Sequence, residues 1–250
     1  MSTDVAVEKR NLAKRAAEAL RATDGIIGIC VFGSVARGQA NDDSDIDMLV
    51  LGDSPDIEPS SLYKLTPKSA REAGLSILYF TPDRLANHLR QASVFSLHLR
   101  RDGWIIFDRG GRLAGILQED PEPHPRQEIL RQRKLLRSFR HTERFGGRFL
   151  FPLSHVYRIG RTVTYAQLVD RQVIEFDQGS AFALLATLMP SWSQEIKTIE
   201  RLSPFYARTR SRYSEQDPPF DPNGPKAEAE FVRAYNAVLT ITGAGSESAE

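Results

Sequence analysis

The feature that most constrains the fold is a glycine-serine pair followed, after ten intervening residues, by two aspartates that stand two positions apart. The pair is Gly33-Ser34 and the acids are Asp45 and Asp47. A continuous apolar run, Ile26 to Phe32, precedes the glycine and predicts a short buried strand that ends at a turn. A second strand is predicted to begin at Asp45, and the alternation of side chains along it would place both carboxylates on one face.

Two neighbouring carboxylates on a core-facing strand need a compensating charge. At a separation of about 4 Å they repel by roughly 4 kcal/mol at an effective dielectric near 20. A divalent cation removes this cost, and Mg²⁺ is often held by one or two carboxylates together with substrate phosphates. We therefore expect Asp45 and Asp47 to bind Mg²⁺ or Mn²⁺ and to be the catalytic residues. In the alternative interpretation, the two acids only solvate the end of a strand.

The residues around the glycine turn have the chemistry of a phosphate site. Gly33 lets the backbone approach a bulky anion without an intervening Cβ. Free N–H groups, the Ser34 hydroxyl and the start of a short helix suit a triphosphate. Arg37 is expected to contact phosphate or the acids, and Ser44 to fix the turn that enters the second strand. The predicted nucleotide-binding residues are thus Gly33, Ser34, Arg37 and Ser44.

This stretch resembles the DNA polymerase β-like nucleotidyltransferase superfamily, in its minimal branch of aminoglycoside nucleotidyltransferase-like and antitoxin-like proteins. The resemblance rests on Gly-Ser and Asp-x-Asp at this spacing, on the strand, turn, helix and strand context, and on the Ala-Arg-Gly and Ser-Asp-Ile-Asp segments. It covers roughly residues 25–108. It implies metal-dependent transfer of a nucleoside monophosphate from a nucleoside triphosphate, with ATP favoured, to a hydroxyl of a small molecule or protein.

The sequence departs from this superfamily at one position. Its members usually carry a third carboxylate on a later strand, and aligning Leu75 to Phe80 with that strand places Ser76 there. A serine is a weak metal ligand and cannot serve as a carboxylate base. A base from the helical half, a substrate that needs no strong base, or nucleotide binding without turnover would each explain the departure. The alternative function is therefore a catalytically impaired nucleotide-binding or regulatory module.

The element pattern predicts an α/β (α+β) nucleotidyltransferase domain with a short mixed sheet over residues 1–111, followed by an all-α helical bundle over residues 126–241. Acidic residues and prolines at 112–125 predict a linker, and the small polar tail at 242–250 is expected to be disordered. The predicted strands are Ile26–Phe32, Asp45–Leu51, Leu75–Phe80 and Trp104–Phe107. The predicted helices are Val5–Ala22, Val35–Gln39, Ser60–Ala73, Asp83–Arg90, Arg126–Arg144, Leu153–Arg171, Gly179–Leu188, Ser191–Arg212 and Pro225–Ile241.

Composition limits the partners and the compartment. The 33 basic and 32 acidic side chains produce no overall field that would attract nucleic acid, so nucleic acid is not expected as a partner. No segment approaches the ~20 apolar residues that span a bilayer, so no membrane association is expected. The single cysteine, Cys30, lies in an apolar run and is expected to be a buried hydrophobe, which favours a cytoplasmic location.

The segment 126–148 is locally basic. A solvated helix face is one interpretation of such a run. The other is that one or two of its cations close over the triphosphate or over an anionic acceptor. The sequence leaves both interpretations open.

Overall fold

A computed structural model describes residues 2–42, 44–91, 93–118, 123–210 and 217–243. The chain divides into two units, residues 1–123 and residues 124–250. Most of the predicted disordered tail, residues 244–250, lies outside the described residues. Thr242, where the tail was expected to begin, is buried and directly follows the last helix.

The N-terminal unit combines a small sheet with helices on both of its faces. Its strands are β1 (Ile26–Phe32), β2 (Ile46–Gly52), β3 (Leu75–Phe80) and β4 (Trp104–Asp108). Its helices are α1 (Ser2–Arg21), α2 (Gly33–Arg37), α3 (Pro59–Leu65), α4 (Lys68–Glu72), α5 (Pro82–Gln91), α6 (Ser93–Asp102) and α7 (Arg112–Gln118).

The described sheet has the strand order β3-β2-β1-β4. Strand β1 pairs antiparallel with β2 and with β4, whereas β2 and β3 are parallel. The sheet is therefore mixed, which confirms the predicted fold class. All seven residues of β1 are buried because strands and helices surround it, and this explains its continuous apolar run.

The two faces of the sheet have separate cores. Met48 and Val50 of β2 pack in a cluster with the apolar face of α1, whereas Leu49 and Leu51 pack in a second cluster with residues of α5, α6 and α7. Because side chains alternate along a strand, Asp47 leaves β2 on the same face as Leu49.

Three helical segments of this unit differ from the predictions. The single helix predicted over Ser60–Ala73 is two helices, α3 and α4, because Pro67 lacks the N–H that would continue the first one. Helix α6 was not predicted. Helix α7 occupies the first half of the predicted linker, where the carboxylate of Asp108 accepts hydrogen bonds from the N–H groups of Leu113 and Ala114 at 2.9 Å each.

The second unit contains helices and no strand within its described residues. Its helices are α8 (Pro125–Arg137), α9 (Leu150–Asp170), α10 (Gln178–Leu188), α11 (Ser193–Glu200), α12 (Ser203–Arg210) and α13 (Ala227–Ile241). Helix α9 supplies much of the core, and residues of α10 to α13 pack against it. The helix predicted over Ser191–Arg212 is divided at Arg201 and Leu202, and its last two residues lie outside the described part. No helix in the described ranges has both the length and the apolar character needed to cross a bilayer.

Candidate functional site

The glycine turn joins β1 to α2. Gly33 adopts φ +76°, a left-handed conformation that costs other residues roughly 1–2 kcal/mol. Ser34 follows in the first turn of α2 and is half-buried. Helix α2 is only five residues long and ends at Gly38, which has φ 73°. Because so short a helix has a small dipole, the backbone N–H groups of the turn would supply most of the attraction for an anion.

Asp47 lies directly beside this turn. It is paired with Phe32 across the antiparallel β1 and β2 strands, and Phe32 immediately precedes Gly33. An added Cβ atom at Gly33 would lie 3.2 Å from Oδ2 of Asp47. The backbone of the turn and one carboxylate are therefore brought together, as the spacing of the motif leads one to expect.

Asp45 has a different position from the one predicted. Strand β2 begins at Ile46, so Asp45 precedes the strand rather than opening it. Its Oδ1 atom lies beside Gly74, where an added Cβ would be only 2.7 Å away. Strand β2 lies between β1 and β3, so Asp47 contacts the β1 side and Asp45 the β3 side. The alternation of a strand therefore does not by itself align these two carboxylates.

Ser76 stands beside Asp47 in the sheet. The parallel register of β2 and β3 pairs Asp47 with Ser76 and Ile46 with Leu75. Ser76 is half-buried and shares the sheet face of Asp47 by strand alternation. A serine thus occupies the position next to Asp47 at which the superfamily resemblance leads one to expect a carboxylate. Asp83 lies beyond β3, in the first turn of α5.

Ser44 closes the turn that precedes the acids. Its hydroxyl donates to Oδ1 of Asn41 at 2.9 Å and accepts from the N–H of Asn41 at 3.0 Å. These bonds support the turn-fixing role that we expected for Ser44, whereas its predicted contact with a nucleotide stays a prediction.

Arg37 is held by protein groups. Its Nη1 atom donates to Oδ2 of Asp102 at 3.0 Å and lies 3.3 Å from Nε2 of His98, while its Nε donates to Gln39 at 2.8 Å. The Arg37 and Asp102 side chains are only 14% and 6% exposed. A phosphate would have to compete with this ion pair, so the arrangement favours a role for Arg37 in tying α2 to α6.

Several residues near the motif were missed in the sequence. Lys9 and Arg10 of α1 donate hydrogen bonds to backbone carbonyls of the segment between the glycine turn and the acids. Gly74 provides the space beside Asp45, with φ +86°. One signal was present: Lys9 falls in the apolar stripe of an amphipathic helix, where a lysine is rarely buried without partners.

The oxygen donors at this site are few. Within the described ranges, no group of three or more His, Cys, Asp or Glu side chains is arranged to hold a metal ion. Asp45 and Asp47 offer hard carboxylate oxygens, which suit a cation that takes its remaining ligands from phosphate and water. The carboxylate of Asp47 lies next to the turn backbone, where such a phosphate would approach.

The basic segment of the second unit has acidic partners of its own. Arg126 pairs with Asp170 at 3.1 Å, and Arg131 pairs with Glu128 at 3.3 Å. Both arginines have substantially exposed side chains, 85% and 42%. For these two residues the contacts are those of a solvated helix face.

Comparisons with known proteins concern the sequence family and the fold. Residues 13–91 match the family model of the nucleotidyltransferase domain. No curated protein is significantly similar in sequence to this chain. The crystal structure of spectinomycin adenyltransferase AAD(9) from Enterococcus faecialis with ATP and spectinomycin is 12% identical, with a TM-score of 0.51 over 93% of this chain and 98% of that one. A nucleotidyltransferase-like protein from Exiguobacterium sibiricum is 18% identical over 91% of this chain and 72% of that one, with a TM-score of 0.37.

The class of the protein follows from the mixed sheet, the glycine turn and the matched segment together. Residues 13–91 match the nucleotidyltransferase domain, and the resemblance of the motif to this superfamily is confirmed. The similarity to the adenyltransferase structure is a similarity of fold that extends through most of this chain.

Proposed function

We propose that this protein is a metal-dependent nucleotidyltransferase that transfers a nucleoside monophosphate from a nucleoside triphosphate, with ATP favoured, to a hydroxyl group. The acceptor oxygen attacks the α-phosphorus, the bond to the bridging oxygen breaks, and pyrophosphate leaves. The observation that carries the proposal is the contact between the turn and the acid, in which Oδ2 of Asp47 lies 3.2 Å from the Cβ position of Gly33.

The residues of the turn would bind and orient the triphosphate. Gly33 presents backbone without a side chain, and the adjacent Ser34 offers a hydroxyl donor. Holding the phosphates in line with the acceptor lowers the barrier by positioning alone, which supplies much of the catalysis in phosphoryl transfer. Ser44 would act through the turn that it closes.

Asp45 and Asp47 would hold Mg²⁺ or Mn²⁺ together with the phosphates. When bound, the cation would neutralise the negative charge that develops during transfer. Asp45 lies beside Gly74 and Asp47 beside Gly33. We propose that both carboxylates turn toward the cation once nucleotide is present. The proton of the acceptor hydroxyl would pass to water, because Ser76 cannot accept it as a carboxylate would.

A small hydroxyl-bearing molecule is the first acceptor class to test, and a protein hydroxyl is the second. One structural neighbour, aligned over 93% of this chain, is an adenyltransferase crystallised with ATP and spectinomycin. Because that neighbour is only 12% identical, it supports a choice of acceptor class and not a particular compound.

The register of Ser76 with Asp47 favours a second candidate function. Without a carboxylate at this position, the site would bind nucleotide and metal but turn over slowly or not at all. The protein would then be a nucleotide-binding or regulatory module.

The two functions separate in a transfer assay. The protein is incubated with α-³²P-labelled ATP, GTP, CTP or UTP, with Mg²⁺ or Mn²⁺, and with aminocyclitols, aminoglycosides or a bacterial protein extract. Labelled product that disappears in Asp45→Ala and persists in the exposed control Asp83→Ala would support the enzyme. Nucleotide binding without transfer would favour the module, and the absence of both binding and transfer would refute both.

A further inference from the structure

Helix α1 carries a lysine on its buried face. The apolar residues of this face are Ala6, Leu12, Ala13, Ala16, Ala17 and Leu20, all buried against the sheet. Lys9 stands three residues from both Ala6 and Leu12, and therefore lies in the same stripe. It is only 8% exposed. An ammonium group at such a depth must be compensated by acceptors.

The acceptors of Lys9 lie in the loop that precedes the acids. Its Nζ donates to the carbonyl oxygen of Asp42 at 2.9 Å and also to the carbonyl oxygen of Ser44. The Ser44 carbonyl belongs to the peptide group that joins Ser44 to Asp45. The ammonium therefore holds the backbone at the point where the acid pair begins.

The next residue of the helix reaches the other half of the motif. Arg10 donates from Nε to the carbonyl oxygen of Val35 at 3.0 Å and from Nη2 to that of Ala36 at 2.5 Å. These carbonyls lie toward the C-terminal end of α2, whose first residue is Gly33. Two consecutive residues of α1 thus bind the loop that precedes the acids and the helix that follows the glycine turn.

We propose that Lys9 is a positioning residue of the nucleotidyl-transfer site, which sets the place of Asp45 relative to the glycine turn. The inference rests on the proposed function. Lys9 does not need to touch nucleotide or acceptor, since its bonds to the loop fix the backbone from which the metal-binding carboxylate extends. Residues that orient metal ligands in this indirect way typically change metal affinity or activity by roughly 10- to 100-fold when they are removed.

The test measures binding of Mn²⁺ together with α,β-methylene-ATP, a pair that requires no acceptor. Binding is followed by electron paramagnetic resonance of free Mn²⁺ in wild-type protein and in Lys9→Met, which keeps the apolar stem but removes the donors. We expect the Mn²⁺ dissociation constant to rise by about 10- to 100-fold. Lys9→Arg, which retains a cation and donors, should recover most of the affinity. Lys14→Met, on the exposed face of α1, is the matched control and should bind as wild type.

A purely structural lysine would behave differently. It would lower the unfolding midpoint and leave the Mn²⁺ affinity of the folded protein unchanged, and this result would overturn the inference. If Lys9→Met does not fold, Lys9→Gln, which keeps one amide donor on a shorter side chain, is measured with the same expectation. Failure of wild-type protein to bind Mn²⁺ and nucleotide would instead refute the proposed function, so the two failures are distinguishable.

Discussion

Gly33 and Asp47 are adjacent in space: a Cβ added to Gly33 would lie 3.2 Å from Oδ2 of the Asp47 carboxylate. Gly33 also has φ +76°, so two independent constraints favour glycine at this position. The φ angle constrains the backbone of the turn, whereas the short distance constrains the carboxylate of Asp47. They have different consequences for a substituted protein.

Replacing Gly33 with alanine separates these consequences. Because alanine is strained at this positive φ angle, the substitution should lower the free energy of unfolding by about 1–2 kcal/mol. The new methyl group should also displace Asp47 and weaken the binding of Mn²⁺ with nucleotide. Denaturant unfolding and a nucleotide titration would measure the two effects. Gly110→Ala is the matched control, because Gly110 has φ +69° but nothing within 4 Å of its Cβ position. Equal losses of nucleotide affinity in both variants would contradict a site at this turn.

Introducing a carboxylate at Ser76 tests whether the missing acid limits turnover. Because Ser76 is the register partner of Asp47 on the same sheet face, Ser76→Asp should supply a base near the metal ligands. General base catalysis typically contributes 10²- to 10⁴-fold, so we expect the transfer rate to rise by at least about tenfold. Ser76→Asn, similar in size but unable to accept a proton, should show no gain. A rate unchanged by the aspartate would mean that proton removal is not limiting.

The ion pair between Arg37 and Asp102 offers a test of the role of Arg37. Its side chains are 14% and 6% exposed, and Asp102→Asn would leave the guanidinium without its carboxylate partner. Breaking a buried pair typically costs about 3–5 kcal/mol, and we expect a loss near the lower value in denaturant unfolding. As a comparison, Arg101→Met removes a partly exposed guanidinium that lies 3.5 Å from Asp102. This change should lower the free energy of unfolding by less than about 1 kcal/mol.

Nucleotide affinity then distinguishes positioning from direct contact. If Arg37 only ties α2 to α6, Arg37→Met and Asp102→Asn should weaken nucleotide binding equally. A much larger loss of nucleotide affinity in Arg37→Met than in Asp102→Asn would support a direct contact between Arg37 and phosphate.

Local patterns explain why some of this structure was predictable from the sequence. The continuous apolar run of β1 and the Gly33 turn depend on neighbouring residues only, and both were predicted correctly. The partner of Arg37 is 65 residues away in the chain and that of Lys9 is 33 or 35 residues away, so no local period reveals them. Helix α7 was misassigned to a linker because its proline-containing flank dominated the composition, although its Leu113 and Leu117 are buried.

The thiol of Cys30 provides a test of the core beneath the site. It is a free, buried cysteine on the central strand, and burial raises the pKa of its thiol to about 12. An unfolded cysteine ionises near pH 8.5, so the unfolded chain releases this proton at lower pH than the folded protein does. The stabilising contribution is therefore complete below about pH 8.5 and is lost as the pH rises toward 12. Each pH unit in that interval should lower the free energy of unfolding by roughly 1 kcal/mol.

Cys30→Ala removes this particular pH dependence while leaving other titrating groups in place. The difference in free energy of unfolding between wild type and variant, measured from pH 8 to pH 10.5, should therefore shrink as the pH rises. Iodoacetamide should modify the native thiol far more slowly than the thiol of urea-unfolded protein, since only the thiolate reacts. Native-state alkylation as fast as that of the unfolded chain would show that β1 is open to solvent, and a strand that opens so readily would not hold Gly33 against Asp47.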